Sequence, residues 1–465
     1  MKKCHYTVLP IVTLLTFLQG CTVGPNYHRR SIPIPPAYRD SQDTPSAPQA
    51  QSVADLPWWQ IFKDPILQNL IRTALQHNYD LLTAAERINQ ARAQLGITRS
   101  NQFPQIQGTG DFSGGRISSQ QTSNILTLAT DASYQLDLFG GLRRATEASR
   151  AQLLASQEAQ RVVVLTLVSD IASDYFQLLG LDLQLQIDRD TITVQRNSVR
   201  LTQLRVDRGV ATKVDVLQAQ QVLDTANAQI PDIERQIGQV EDAISILLGN
   251  YPDKVPRGQK LTEQYVPPEV PAGLTSALLE RRPDIREAEQ TLIAANAEIG
   301  VAKAAFFPKI SLTGSGGGAL GHFAVSGVGQ SANSGIWSYG GSLAQPIFTG
   351  GALISNLHLA QSAERQALIG YEQTIQKAFG EVSDALIGYQ KIHEQRIRQE
   401  ASVKTLQEAV RISEMRYRGG ITTFLEVLDN QRSLFSAQLT LAQIRTGEYQ
   451  SLVTLYRVLG GGWKQ

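Results

Sequence analysis

The chain has 465 residues, a formal net charge of +1 and two cysteines. This length allows two or three ordinary domains or one large repeated fold. The nearly balanced charge argues against a partner made of nucleic acid.

The first twenty residues are typical of a bacterial secretory signal. A charged start precedes a short apolar run that ends at Leu18-Gln19-Gly20-Cys21, too short to span a bilayer. Leu-x-Gly-Cys is also the lipobox at which lipoproteins are cleaved and acylated; the alternative is an ordinary signal followed by a chance cysteine. The lipoprotein interpretation predicts a signal peptide at 1–20 and a diacylglycerol and an N-acyl chain on Cys21. Because Cys4 leaves with the signal, no thiol remains for a disulfide.

Residues 21–57 are rich in proline, serine and glutamine, which favours an extended, lipidated leader that tethers the lipid to the fold. The rest of the chain divides into two tandem repeats, 58–250 and 284–465, joined by a proline-rich connector at 251–283. One of the matches between the repeats is Phe-Pro-x-Ile, which begins at 103 and again at 307.

Each repeat contains a stretch of alternating polar and non-polar residues, as in a β-hairpin with one face of each kind. These stretches cover about 104–139 and 308–348. The polar side is small and hydroxylic, and Trp337 and Tyr339 lie where the aromatic belt of a membrane barrel would be. This pattern favours membrane strands around a water-filled interior; the alternative is a soluble sheet packed on helices.

Four strands are too few to close a barrel, and an open sheet edge is not tolerated in hydrocarbon. Membrane barrels begin at about eight strands. The chain must therefore pool strands with copies of itself, two copies giving about eight and three about twelve.

Long helical patterns occupy the intervals without proline. A helix from Leu142 to about Arg205 would span roughly 95 Å. The long helix of each repeat ends at a glycine-containing turn, 208–212 or 419–423, and a second helix follows. We expect each turn to be the tip of a helical hairpin.

Several features together resemble the TolC-type outer-membrane factors, in particular the NodT-like lipoprotein branch of RND efflux systems. They are the lipobox, the segment Cys21-Thr22-Val23-Gly24-Pro25-Asn26-Tyr27, two helix–hairpin–helix repeats and the paired glycine tips. The resemblance covers essentially the whole chain. It implies an α+β membrane protein, a homotrimer whose twelve-stranded outer-membrane β-barrel, with four strands per chain, continues into a long periplasmic α-helical barrel.

The same resemblance implies the location and the partners. The protein would lie in the outer membrane of a Gram-negative bacterium, lipid-anchored and extending into the periplasm. A periplasmic adaptor, also called a membrane fusion protein, and an inner-membrane RND transporter would dock beneath it, and outer-membrane lipid would surround the barrel.

The resemblance also implies a periplasmic gate. The family's Leu-x-x-x-Asp-x-x-Arg constriction falls on Leu425, Asp429 and Arg432, whose spacing puts them on one helix face. Threefold symmetry would turn each into a ring; on spacing alone, an exposed Asp–Arg pair worth about 0.5 kcal/mol is the alternative. The first repeat has Gln218 and Gln221 at the positions of the charged pair. We therefore expect the second hairpin to move and the first to stay fixed.

The tip turns are the candidate adaptor-docking residues, Arg208 and Gly209 in the first repeat and Gly419 and Gly420 in the second. In the family, adaptor hairpins dock at this end of the tunnel. The alternative is that the glycines serve only the turn, where they allow a positive φ.

The sequence contains no catalytic motif, phosphate loop or metal-spaced cluster. It therefore predicts no enzyme, and no cofactor apart from the acyl chains on Cys21. The predicted function is the outer-membrane channel of a tripartite efflux pump, a passive exit duct gated at its tip, for drugs or other small toxic compounds. Two alternatives are a channel for type I polypeptide secretion and a lipid-anchored periplasmic coiled-coil scaffold with no channel.

Overall fold

The computed structural model describes residues 22–35, 56–118, 121–264, 277–325 and 328–461. The predicted signal peptide, Cys21, the middle of the leader and part of the connector lie outside the described residues.

The described elements follow the same order in both repeats: shorter helices, a pair of strands, a long helix and a final helix. In the first repeat they are α1 Trp58–Ile61, α2 Pro65–His77, α3 Tyr79–Ser100, β1 Gln105–Ser118, β2 Gln121–Leu136, α4 Gly141–Asp207 and α5 Lys213–Leu247. In the second they are α6 Leu278–Arg281, α7 Pro283–Ala304, β3 Lys309–Val325, β4 Val328–Ala344, α8 Ala352–Arg418 and α9 Phe424–Val458.

The four strands form one antiparallel sheet in the order β1-β2-β3-β4. Their register places the apolar side chains of successive strands opposite one another, as in the pairs Tyr134–Leu312 and Ile310–Leu343. The other face is polar and rich in hydroxyl groups, and the Ser315 and Ser338 hydroxyls lie 2.7 Å apart on it. Among the described strands, β1 and β4 each keep one edge without a strand partner.

The chain forms two compact units, and each unit contains parts of both repeats. The first comprises the described residues of 1–32, 86–157 and 286–373, and it includes the sheet. The second comprises those of 33–85, 158–285 and 374–465, and it includes both helical tips.

In the first unit, the start of the leader is held against the fold and is not a free tether. We call residues 22–31 the strap. The Arg144 side chain is almost fully buried and donates to Asn26 Oδ1 at 2.7 Å. The Tyr27 hydroxyl donates to Glu289 at 3.1 Å. The backbone of Gly24 lies so close to Gly300 that a Cβ on Gly24 would come within 2.6 Å of the Gly300 Cα.

The second unit contains an aromatic core. The rings of Phe176 and Tyr449 stack with centroids 4.7 Å apart, and Phe62 packs against the Phe176 ring. Helix α4 includes an 18-residue window with mean hydropathy 1.5, which by composition alone could cross a membrane. Since 61% of that window is buried inside the chain, packing within the fold explains its apolar character.

Candidate functional site

The two tip turns share one backbone geometry. Gly209 has a φ of 73° and Gly420 a φ of 72°, a left-handed conformation that side chains disfavour. In both turns, the residue after the glycine donates its N–H to a carbonyl five residues earlier at 2.9 Å. This hydrogen bond closes a Schellman motif, so the fold itself requires these two glycines.

Gly419 is different from its neighbour. It has no positive φ, and a Cβ at this position would meet no atom nearer than 3.5 Å. The equivalent residue of the first tip, Arg208, carries an exposed side chain. The turn therefore does not require a glycine at 419.

The helices that leave the two tips begin differently. Thr212 and Asp215 form a capping box at the start of α5, each side chain bonding to the other residue's backbone N–H. Thr423 makes no side-chain cap at the start of α9. Instead Glu426, the equivalent of Asp215, pairs with Arg416 of α8 at 2.8 Å. The first tip is thus stabilised by a cap within α5, whereas the second is stabilised by an ion pair between α8 and α9.

The three predicted gate residues lie along α9 in different environments. Leu425 is 47% exposed, and Asp429 is exposed and has no hydrogen-bond or ion-pair partner in the described part of the chain. Arg432 is half-buried and donates from Nη2 to Gln221 Oε1 at 3.0 Å. Gln221 is the first-repeat equivalent of Arg432. The chain does not pair Asp429 with Arg432; it joins Arg432 to the first hairpin.

A partly buried chain of hydrogen bonds near the gate residues was not predicted. Gln195 of α4 donates to Gln431 at 3.0 Å, and Gln431 donates to Glu414 of α8 at 2.9 Å. The Arg205 guanidinium stands over the Tyr417 ring at 4.4 Å. The tip hairpins are therefore joined by polar contacts in addition to apolar packing.

Further from the tip, the second hairpin has a buried ionic contact where the first is apolar. Glu448 is 1% exposed, with His393 Nδ1 at 2.7 Å from its carboxylate and Arg396 Nε at 2.6 Å. The first-repeat equivalents of Arg396 and Glu448 are Leu185 and Ile237, which belong to one apolar cluster. Comparison of the two repeats at the offset of 211 residues that relates Gly209 to Gly420 would have revealed this difference.

A neighbouring ion pair is reversed between the repeats. Arg189 of α4 lies 3.3 Å from Glu234 of α5, whereas at the equivalent positions Glu400 of α8 lies 2.9 Å from Arg445 of α9. The two hairpins therefore share one packing plan with different charges. The polar interior belongs to the hairpin that carries the gate residues.

Helix α4 also contains acidic groups that burial perturbs. Asp188 is 0% exposed, and neither carboxylate oxygen has a hydrogen-bond partner among the described residues. Burial raises the pKa of this group to about 6. Burial, with the added repulsion of Asp170, raises the pKa of Asp174 to about 6. Within the described ranges, no group of three or more His, Cys, Asp or Glu is placed to hold a metal ion.

Comparison with known proteins identifies a family. The family model described as outer membrane efflux protein matches residues 70–250 and 274–461. The chain is 35% identical to the cation efflux system protein CusC of Escherichia coli O6:H1, covering 100% of both proteins. It is also 35% identical to the toluene efflux pump outer membrane protein TtgC of Pseudomonas putida, covering 98% of this chain and 96% of TtgC.

The fold is likewise that of a solved channel. The structure of the open state of the MtrE outer membrane channel of Neisseria gonorrhoeae superimposes with a TM-score of 0.85 at 30% identity, covering 96% of this chain and 99% of that one. The predicted fold class, a trimeric outer-membrane channel with four strands per chain and long helices in two repeats, is confirmed. The predictions of an outer-membrane location, and of a channel and not an enzyme, are confirmed as well. The chain therefore belongs to the outer membrane efflux protein family, as the outer-membrane channel component of a tripartite efflux pump.

Proposed function

We propose that the channel is closed at its periplasmic end by Leu425, Asp429 and Arg432, and that the second hairpin moves to open it. The observation that carries this proposal is the hydrogen bond from Arg432 to Gln221, which ties the helix face with the gate residues to the first hairpin. The exposed Leu425 and Asp429 are left available to form rings with their copies in the trimer. A leucine ring would exclude water, and an aspartate ring would favour cations.

Replacing Asp429 and Arg432 together with alanine tests the gate. The single-channel conductance in planar bilayers should rise, because the variant lacks both the acidic ring and the contact with the first hairpin. Gln218→Ala, at the first-repeat position equivalent to Asp429, is the matched control and should conduct like the native channel. Unchanged conductance in the double variant would overturn the assignment.

Adaptor docking at the tips is supported by Gly419, a glycine of the second turn that the turn geometry does not require. Since the fold does not require Gly419, bare backbone at this position is available for a partner hairpin, together with Arg208, Gly209 and Gly420. Gly419→Ala should leave trimers and their thermal stability intact while export is lost. Gly420→Ala is the contrasting variant, because its positive φ strains the turn itself. Normal export by the Gly419 variant would remove this residue from the docking site.

Acylation of Cys21 is supported by the position of Val23, two residues further along the chain. The Val23 N–H donates to the Phe139 carbonyl at 3.1 Å, just beyond the end of β2. Val23 therefore lies beside the end of a membrane strand, a position suited to a lipid attached two residues earlier. Mass spectrometry of the N-terminal peptide should show a triacylated cysteine, and Cys21→Ser should lose that mass. An unmodified native N-terminus would exclude the anchor.

The proposed cargo is a small toxic compound, delivered through a periplasmic adaptor by an inner-membrane RND transporter. Relatives named for cation and for toluene efflux are equally similar to the chain, so efflux is favoured over polypeptide secretion. A strain without this chain should become more susceptible to a panel of solvents, drugs and metal salts. Unchanged susceptibility together with loss of a secreted polypeptide would favour the secretion channel.

A further inference from the structure

The junction between the two repeats is closed by an aromatic pair at the base of the sheet. Phe139 follows β2 and Phe307 precedes β3, and these two strands are neighbours in the sheet. Their rings stack with centroids 4.5 Å apart and planes inclined by 17°. Such stacking contributes about 0.5–1.5 kcal/mol beyond the buried area.

Both members of this pair recur in the other repeat. Phe103 is the equivalent of Phe307, since each begins Phe-Pro-x-Ile. Phe348 is the equivalent of Phe139. The first repeat reads Leu-Phe-Gly-Gly from 138, and the second reads Ile-Phe-Thr-Gly-Gly from 347, with one inserted threonine. Phe103 precedes β1 and Phe348 follows β4, which are opposite edges of the sheet. Three strand spacings, about 14 Å, separate those edges.

These copies are exposed within the chain. Phe348 is 91% exposed and Phe103 is 55% exposed, against 38% for Phe307. Ile347, beside Phe348, is 95% exposed. Large apolar side chains left open at two sheet edges indicate a contact that one chain does not provide.

We infer that Phe348 of each copy stacks on Phe103 of the partner subunit and so repeats, between copies, the aromatic contact that joins the repeats within one chain. We call this contact the clasp. The occupant is a second copy of this chain, because only another β1 edge carries the required Phe-Pro-x-Ile segment beside it. The inference rests on the trimeric channel. It specifies which side chains join β4 of one subunit to β1 of the next, a junction that we call the seam.

The pairing of β2 with β3 within the chain also predicts how β4 pairs with β1 of the partner subunit. Tyr134 pairs with Leu312 between β2 and β3, and their repeat equivalents are Leu343 and Gly108. Transferring that pairing to the seam places Leu343 opposite Gly108 of the partner subunit. Four residues further along, Tyr339 is opposite Phe112 of the partner subunit. Both aromatic side chains are more than 70% exposed within the chain, at 83% and 73%.

The two kinds of junction differ in one respect. Within the chain, the strap also covers the junction, because Thr22 packs on Gly140 so closely that a Cβ there would meet its side chain at 2.7 Å. The equivalent glycines, Gly350 and Gly351, have no described atom within 4 Å of such a Cβ. The seam between copies therefore relies on the clasp more than the in-chain junction does.

Cysteine cross-linking tests the clasp directly. The native chain contains only Cys4, in the predicted signal, and Cys21, so introduced thiols report with little background. The full-length chain carrying both Phe103→Cys and Phe348→Cys, treated in membranes with a short bifunctional thiol reagent, should run as covalent dimers and trimers after heating. Co-expression of the two single variants should give dimers only. The matched control is Phe139→Cys with Phe307→Cys, which should cross-link within one chain without raising its mass.

The outcomes separate the clasp from the assembly. Efficient in-chain cross-linking in the control, with native trimers present and no link between 103 and 348, would overturn the clasp and leave the channel intact. Absence of trimers in the native chain would instead contradict the channel itself. If the clasp is formed, Phe348→Ala should also lower the temperature at which trimers dissociate in detergent, and Phe103→Ala should add little to that loss.

Discussion

Replacing Asp188 with asparagine should stabilise the protein at neutral pH and leave its stability in acid unchanged. The Asp188 carboxylate is fully buried and has no hydrogen-bond partner in the part of the chain that the structure describes, and burial raises its pKa to about 6. An aspartate in the unfolded chain titrates near pH 3.9. Because the folded-state pKa is the higher one, the ionised carboxylate destabilises the fold fully above about pH 6. That penalty becomes small as the pH falls from about 6 to about 4, and it vanishes at lower pH, where both states are protonated.

The size of the stabilisation expected from Asp188→Asn follows from the difference between the folded and unfolded pKa values. About two pKa units at about 1.36 kcal/mol each give about 3 kcal/mol per chain. With an unfolding entropy of about 2.1 cal/mol/K per residue, a chain of 465 residues has about 1 kcal/mol/K. The unfolding temperature should therefore rise by about 3 °C. Asparagine keeps the size and the polarity of the protonated acid, so the variant changes the charge alone.

Circular dichroism during heating of the detergent-solubilised protein, at about pH 7.5 and about pH 4, measures this effect. Asp190→Asn, an exposed carboxylate on the same helix, is the control and should shift neither transition. A gain of equal size at both pH values would refute the reasoning, since it would not depend on ionisation. No gain at the higher pH would mean that the Asp188 charge finds compensation that the buried geometry does not show.

The strap and the ionic interior of the second hairpin lead to two more predictions. A Cβ on Gly300 would meet the Arg144 side chain at 2.7 Å, whereas a Cβ on the equivalent Gly96 would meet open space. Gly300→Ala should therefore displace the strap and expose it to protease cleavage. Gly96→Ala should leave the strap protected. Equal cleavage of both variants would contradict the contact. Arg396→Leu with Glu448→Ile copies the apolar pair of the first hairpin. This double variant should raise the unfolding temperature, since replacing a buried ion pair by apolar residues often stabilises a fold by about 1–4 kcal/mol. It should also reduce opening of the channel and its conductance. A lower unfolding temperature would contradict this prediction.

Some features follow from local sequence because their causes are local. Alternation of polar and apolar residues makes a strand with two different faces whatever the rest of the chain does. The glycines at 209 and 420 have the left-handed φ expected of helix C-termini, because the turn itself excludes a side chain there. The repeat offset then shows that the same supersecondary unit occurs twice. The strands, the long helices and their repetition could therefore be predicted before any contact was known, and the function was predicted from the resemblance to the TolC-type outer-membrane factors.

Other features were decided only by the tertiary structure, because they join residues that are far apart in the chain. Arg432 and Gln221 are 211 residues apart, and their hydrogen bond depends on how two helix faces meet. The hold of Arg144 on the strap depends in the same way on the approach of two glycine backbones. Periodicity shows which face of a helix is buried but not which partner covers it. The sequence by itself determined the elements, their repetition and the need for further copies; only the packing of distant segments determined which side chains hold them together.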